Sequence, residues 1–256
     1  MSDISQIIFS PLVAHGSRRV LLHAAGLLTL LLPLAIITTY LIANSAGASK
    51  PVMAATLTAG IVTVGCLFIL YSLAQRESYP HAKLGLCNTI TFVRGAGIAI
   101  LAGLSLAPVA ELGWWLAAFA LTILLLDGLD GWAARQARLQ SEFGARFDVE
   151  TDVVFALTLA ALAVALEQVG PWFLLLGLLR PFFMAAGHVW PALRAPLPEA
   201  LWRKQMAGLQ MSVQVLLITP LLSPPLATWL AALLLVVMVL SFMIDVRWLA
   251  RQARRV

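Results

Sequence analysis

Residues 112–135 read LGWWLAAFALTILLLDGLDGWAAR, and residues 136–152 continue QARLQSEFGARFDVETD. From Leu112 to Leu126 the chain carries no charge; Asp127 and Asp130 then arrive three residues apart, and Arg135 closes the run. A polar stretch leads to Asp148, Glu150 and Asp152, behind which a second apolar run begins. An uncharged run of about 20 residues is the length of a bilayer-spanning helix. The pair therefore reads as two spans, roughly 112–133 and 148–167, joined by a short polar turn.

Outward from this pair the pattern repeats. Further apolar runs lie at 20–43, 52–74, 88–107, 171–190, 205–222 and 226–247, which gives eight spans. Of the 256 residues, 61% are hydrophobic and 11% charged, against about 45–50% and 25% in a soluble domain. That excludes a soluble enzyme and predicts an all-α, polytopic membrane bundle of about eight transmembrane helices. The first run is too long for the apolar core of a signal peptide and reads as a retained helix. Cys66 and Cys87 fall in or beside spans and read as small apolar side chains.

Lysine and arginine are disfavoured on the translocated side of a membrane. With eight spans, Arg18, Arg19, Arg76, Lys83, Arg135, Arg138, Arg146, Arg194, Arg203, Lys204, Arg247, Arg251, Arg254 and Arg255 fall on one side and Lys50 on the other. Both termini are thus expected in the cytoplasm. The net charge of +5 follows from this topology and from attraction to anionic headgroups, so nucleic acid is not an expected partner. A polar connector, Gln75 to Lys83, divides the chain near residue 80. Before it lies a chemically quiet helix pair (1–80); after it lies everything that carries chemistry (81–256).

An ionisable residue inside a span costs at least about 2.5–3.5 kcal/mol on insertion scales and needs a partner. Asp127 and Asp130 are i and i+3, and Asp148 and Asp152 are i and i+4, so each pair shares one helix face. The short turn lets the two pairs converge at the membrane border. Four converging carboxylates repel one another, and a hard divalent cation such as Mg²⁺, Mn²⁺ or Ca²⁺ resolves the repulsion. Gly128, Gly131 and Ala134 remove bulk beside the acids. This opens either a ligand approach or a close helix interface. Glu150 falls on the opposite helix face, as a partner for an arginine or an interfacial residue.

The pattern Asp127-x2-Asp130-Gly131-x2-Ala134-Arg135-x8-Gly144-x3-Asp148-x3-Asp152 resembles, at all eight fixed positions, the signature of the CDP-alcohol phosphotransferases, membrane enzymes of phospholipid synthesis. The resemblance covers about residues 85–247. It implies a six-helix catalytic bundle, to which the first two helices are an addition. It also implies CDP-diacylglycerol as donor, a polar alcohol as acceptor, release of CMP, and two Mg²⁺ or Mn²⁺ ions held by Asp127, Asp130, Asp148 and Asp152, with Asp152 as general base. Gly131, Ala134, Arg135 and Gly144 then border the CDP donor. Asn88, Thr91 and Arg94 open the third span as the family opens its first catalytic helix, for nucleotide binding or, for Asn88 and Thr91, for capping and packing.

Arg180 and the stretch Arg203-Lys204-x5-Gln210 are similar to acceptor-side residues of phosphatidylglycerophosphate synthases, with Arg180, Lys204 and Gln210 as candidate acceptor contacts. Met206, Ala207 and Pro181 depart from that pattern. Two cations favour glycerol 3-phosphate, with inositol phosphate, serine or another alcohol as alternatives. A homodimer in a bacterial inner membrane, with the active site cytoplasmic, is expected. A transporter would place its acids near the midplane rather than at span ends, and a non-catalytic membrane partner would not need all four aspartates.

Overall fold

In hydrocarbon every backbone N–H and C=O must find a partner within the protein, and a helix achieves this inside one segment. The computed structural model describes the backbone of residues 4–74, 86–137, 142–198 and 201–253, and side chains within residues 20–72, 88–128, 144–198 and 201–253. Eight α-helices are described: α1 (Ile4–Ser45), α2 (Pro51–Ala74), α3 (Leu86–Leu104), α4 (Gly113–Ala137), α5 (Glu142–Ala165), α6 (Leu174–Val189), α7 (Leu201–Ile218) and α8 (Pro224–Ala253). Short 3-10 turns at Ala110–Leu112, Pro171–Phe173 and Pro191–Arg194 lead into α4, into α6 and away from α6. No strand occurs among the described residues, as the composition predicts.

Five of these segments are long and apolar enough to cross a membrane: Val20–Ser45, Pro51–Ser72, Ala110–Gly128, Pro171–Val189 and Pro224–Ala253. The protein is an integral membrane protein. α3 contributes a shorter apolar stretch, Asn88–Leu104, with Arg94 in it. α5 carries Asp148, Glu150 and Asp152, and α7 carries Arg203, Lys204 and Gln210. The polar residues that the sequence marks as chemical are the ones that interrupt apolarity.

The chain divides into two compact units, Met1–Ala107 with Leu125–Thr151, and Pro108–Leu124 with Asp152–Val256. In the first, α1, α2 and α3 each pack against the other two. In α1 and α2 most buried positions are small: Ala24, Ala35, Thr39, Ala43, Ala54, Ala55 and Thr58. Large residues of the same helices, among them Leu30, Leu34, Leu41, Val64 and Leu67, point outward. Lipid is as apolar as leucine, so close backbone approach, not removal from water, holds such helices together. At one end Val20, Ala24 and Leu28 of α1 and Ile69 of α2 meet Phe92 of α3 and Phe147 of α5, whose rings lie 5.4 Å apart. α1 ends in a Schellman motif, with Gly47 at φ +71° and Ala48 N–H donating to the Ala43 carbonyl. Five residues later α2 has begun.

The second unit is built round Ala160, Ala163, Phe173, Leu176, Leu217, Ala227, Ala231 and Leu234. Gln214, fully buried on α7, donates from its side-chain amide to the Ala156 carbonyl of α5 at 2.9 Å. A Cβ at Gly177 of α6 would lie 2.6 Å from the Cα of Leu157, so only glycine permits that approach of α6 to α5. α5 also ends in a Schellman motif, but with Glu167 at φ 57° in the position that glycine favours. Trp114, Trp115 and Trp229, near the starts of α4 and α8, are strongly exposed, in the manner of interfacial anchors.

Candidate functional site

Arg94 is the largest fully buried side chain of the described residues. It sits between two acids: Nη2 lies 2.6 Å from Asp127 Oδ1, and Nη1 donates to Asp148 Oδ1 at 2.9 Å. A guanidinium in an apolar helix is tolerable when its planar fork meets carboxylates. The first turns of α3 supply the surroundings, with Asn88 and Thr91 buried beside it and Phe92 packed on Phe147.

Asp127 ends the apolar part of α4, and Asp148 and Asp152 are one turn apart on the unbroken helix α5, as their spacing predicts. Oxygens of Asp127, Asp148 and Asp152 all lie within 4.8 Å of one another. Among the described residues three carboxylates face one guanidinium, an excess of negative charge that a divalent cation would offset. All the donors are hard oxygens, the set that suits Mg²⁺, Mn²⁺ or Ca²⁺. The residues present therefore fit such an ion. Asp130, Gly131, Ala134 and Arg135 continue α4, and their side chains fall outside the described residues. Gly144 opens the turn of α5 that precedes Asp148.

Within the second unit a cavity of about 390 Å³ has Asp152 in its wall, together with Arg180, Arg203, Gln210, Ser241 and Asp245. Apolar side chains, among them Phe183, Met206 and Phe242, complete it. Of the three acceptor-side candidates, Arg180 and Gln210 line this cavity; Lys204 is exposed and does not. Its neighbour Arg203 does, with Nε donating to Asp245 Oδ1 at 3.0 Å and Nη1 to the Pro198 carbonyl. Pro181 has no N–H to offer the carbonyl of Gly177 one turn earlier, so the cavity-lining Gly177 keeps an acceptor that an unbroken helix would use.

Asp245 and Arg203 are the residues that the motif reading passes over. Asp245 lies inside the apolar run 226–247, and the rule that singles out Asp127 applies to it equally. Arg203 reads as one more basic residue beside the membrane until its partner, 42 positions along the chain, is known.

The family model described as CDP-alcohol phosphatidyltransferase matches residues 84–244. No curated protein and no solved structure matches the chain.

Proposed function

Since the chain belongs to the CDP-alcohol phosphatidyltransferase family, a family of phosphatidyl transfer in phospholipid synthesis, we propose that it moves the phosphatidyl group of CDP-diacylglycerol to glycerol 3-phosphate and releases CMP. Asp152 carries this reading: its carboxylate belongs to the acid cluster and also lines the cavity that holds Arg180 and Gln210. The catalytic part is residues 81–256, with the helix pair 1–80 as an addition.

Mg²⁺ or Mn²⁺ would be held by Asp127, Asp148 and Asp152, with Asp130 as the fourth ligand of the motif, and when bound supplies positive charge to the pyrophosphate and the leaving CMP. The acceptor hydroxyl oxygen attacks the phosphatidyl phosphorus, the bond to the CMP oxygen breaks, and the hydroxyl proton passes to the Asp152 carboxylate. Arg94 fixes Asp127 and Asp148, so that neither carboxylate turns away from the ligand. Gly131, Ala134, Arg135 and Gly144, with Asn88 and Thr91, border the donor nucleotide. Arg180 contacts the acceptor phosphate through its fork, and Gln210 hydrogen-bonds an acceptor hydroxyl. Lys204, on the same turn as Arg203, adds a positive charge at the approach. Arg203 already faces Asp245, which leaves Arg180 as the cavity cation without a carboxylate partner among the described residues.

The enzyme is a homodimer of a bacterial inner membrane, with both termini and the acid cluster on the cytoplasmic side, where the basic residues gather. The test is CMP release in liposomes containing CDP-diacylglycerol, with glycerol 3-phosphate, inositol phosphate, glycerol, inositol or serine offered in turn, with and without Mg²⁺ or Mn²⁺. Glycerol 3-phosphate should support metal-dependent release and yield a phosphorylated lipid. Product from an uncharged alcohol alone would overturn the phosphate pocket and leave the acid cluster standing. Metal-independent release would overturn the cluster's role.

A further inference from the structure

The helix pair ahead of the family match is joined to α3 by a buried chain of hydrogen bonds. Thr39 of α1 and Thr58 of α2 are both fully buried, with their hydroxyl oxygens 3.0 Å apart. Thr58 Oγ1 also donates to the Ala99 carbonyl of α3 at 3.1 Å. Each hydroxyl has one proton, and each also has an acceptor one turn back in its own helix, the Ala35 carbonyl at 2.9 Å from Thr39 Oγ1 and the Ala54 carbonyl at 3.2 Å from Thr58 Oγ1. The arrangement that uses both protons across helices runs from Thr39 to Thr58 and from Thr58 to Ala99, crossing α1, α2 and α3 in sequence. In a membrane interior such bonds compete with no water and fix how two helices sit along and about their axes. Gly103, one turn beyond Ala99, shows how close the helices are: a Cβ there would overlap the Thr58 hydroxyl and lie 2.6 Å from the Ala54 carbonyl oxygen.

The other end of the same three helices holds the aromatic cluster, where Val20, Ala24, Leu28 and Ile69 pack with Phe92 and Phe147. Phe92 lies two residues before Arg94, and Phe147 one residue before Asp148. α3 is thus clamped at both ends by α1 and α2, and the Arg94 side chain that sets Asp127 and Asp148 issues from between the clamps.

We propose that the N-terminal helix pair is a positioning element of the acid cluster, and that Thr58 is the positioning residue through which it fixes the height and rotation of α3, and so of Arg94 between its acids. This rests on the reading of the cluster as a divalent-cation site. On this reading the pair, added ahead of the family match that begins at residue 84, also serves the site.

The test is equilibrium Mn²⁺ binding to the full-length purified protein without substrate, followed by the loss of the free-ion electron paramagnetic resonance signal, alongside thermal unfolding. Thr58→Val keeps the shape and removes the hydroxyl; it should raise the Mn²⁺ dissociation constant about threefold or more. Thr58→Ser restores the hydroxyl and should bind as wild type. Thr56→Val, at an exposed threonine of the same helix bonded only to the Val52 carbonyl, should change nothing. Gly103→Ala forces α2 and α3 apart and should give a larger loss than Thr58→Val. Should Thr58→Val not fold, Thr39→Val breaks the same chain from its other end and should show the same shift. Unchanged Mn²⁺ affinity in Thr58→Val, with or without a lower unfolding temperature, would reduce the threonines to ordinary packing and overturn the proposal. If the wild-type protein itself binds no Mn²⁺, the metal reading fails first and this inference fails with it.

Discussion

Two polar centres interrupt the apolar helices among the described residues, and they balance charge differently. In the first unit one arginine, Arg94, serves two carboxylates, Asp127 and Asp148. In the second unit Arg203 meets a single carboxylate, Asp245, and the cavity around them contains as many cations as acids: Arg180 and Arg203 against Asp152 and Asp245. A surplus of negative charge in a partly buried cluster is costly until a cation joins it. In the second set Arg203 is already matched by Asp245, which leaves the donors of Arg180 for the phosphate and hydroxyls of a guest. The first arrangement suits an ion and the second an organic substrate.

The comparison breaks most visibly if the surplus is removed. Asp127→Asn and Asp148→Asn each delete one ligand and make the span more apolar, so the protein should still insert while CMP release falls by about a thousandfold or more. Release near the wild-type rate in either variant would take that residue out of the ion site. Asp152→Asn tests the proposed general base. Turnover should fall by about a hundredfold or more, the scale of a lost general base, yet CDP-donor binding should persist, as equilibrium binding of a labelled donor would record. Donor binding lost as fully as in Asp127→Asn would make Asp152 chiefly a ligand.

Breaking the balance in the second unit should have a smaller and different effect. Asp245→Asn leaves Arg203 without its carboxylate and gives the cavity one net positive charge more. The acceptor KM should change by about three- to tenfold, in proportion to one charge pair in a partly exposed site, while the donor KM stays put. A fall in donor affinity instead would place Asp245 on the nucleotide side. The smallest effect concerns the two helix ends that share one backbone conformation. Gly47 carries its positive φ at no cost, whereas Glu167 does not; Glu167→Gly should therefore raise stability by about 1 kcal/mol or less, and Gly47→Ala lower it by about as much. Thermal unfolding in detergent would show both, and opposite signs are the point of the experiment.

Much of this is legible in the chain itself. The apolar runs mark all eight described helices, and the i, i+4 spacing keeps Asp148 and Asp152 on one face of α5 because a helix keeps its period whatever surrounds it. Helix ends are less legible. α1 begins at Ile4, well before the apolar run at 20, and α8 continues to Ala253. Hydropathy reports the slab that a helix crosses, and the backbone ladder continues beyond that slab without apolar side chains. The joins between distant helices leave no periodic trace. Thr39 and Thr58 read as two of several threonines in a quiet region, and neither their mutual bond nor the one to Ala99 follows from any local pattern. Arg203 and Asp245 were hidden in the same way, as a basic residue at a membrane edge and an acid near another arginine.

The burial of Arg94 also bears on how the chain is made. Asp127 and Asp148 follow it 33 and 54 residues later. At about 5–20 residues per second, the ribosome delivers the arginine seconds before either acid exists. During that interval α3 is a short apolar segment with a cation in it, poorly suited to lipid on its own. α1 and α2 are already complete, and they present the threonine hydroxyls and small side chains on which α3 settles. The order of helices along a chain is also the order of their synthesis, and here the quiet pair precedes the charged helix that packs on it.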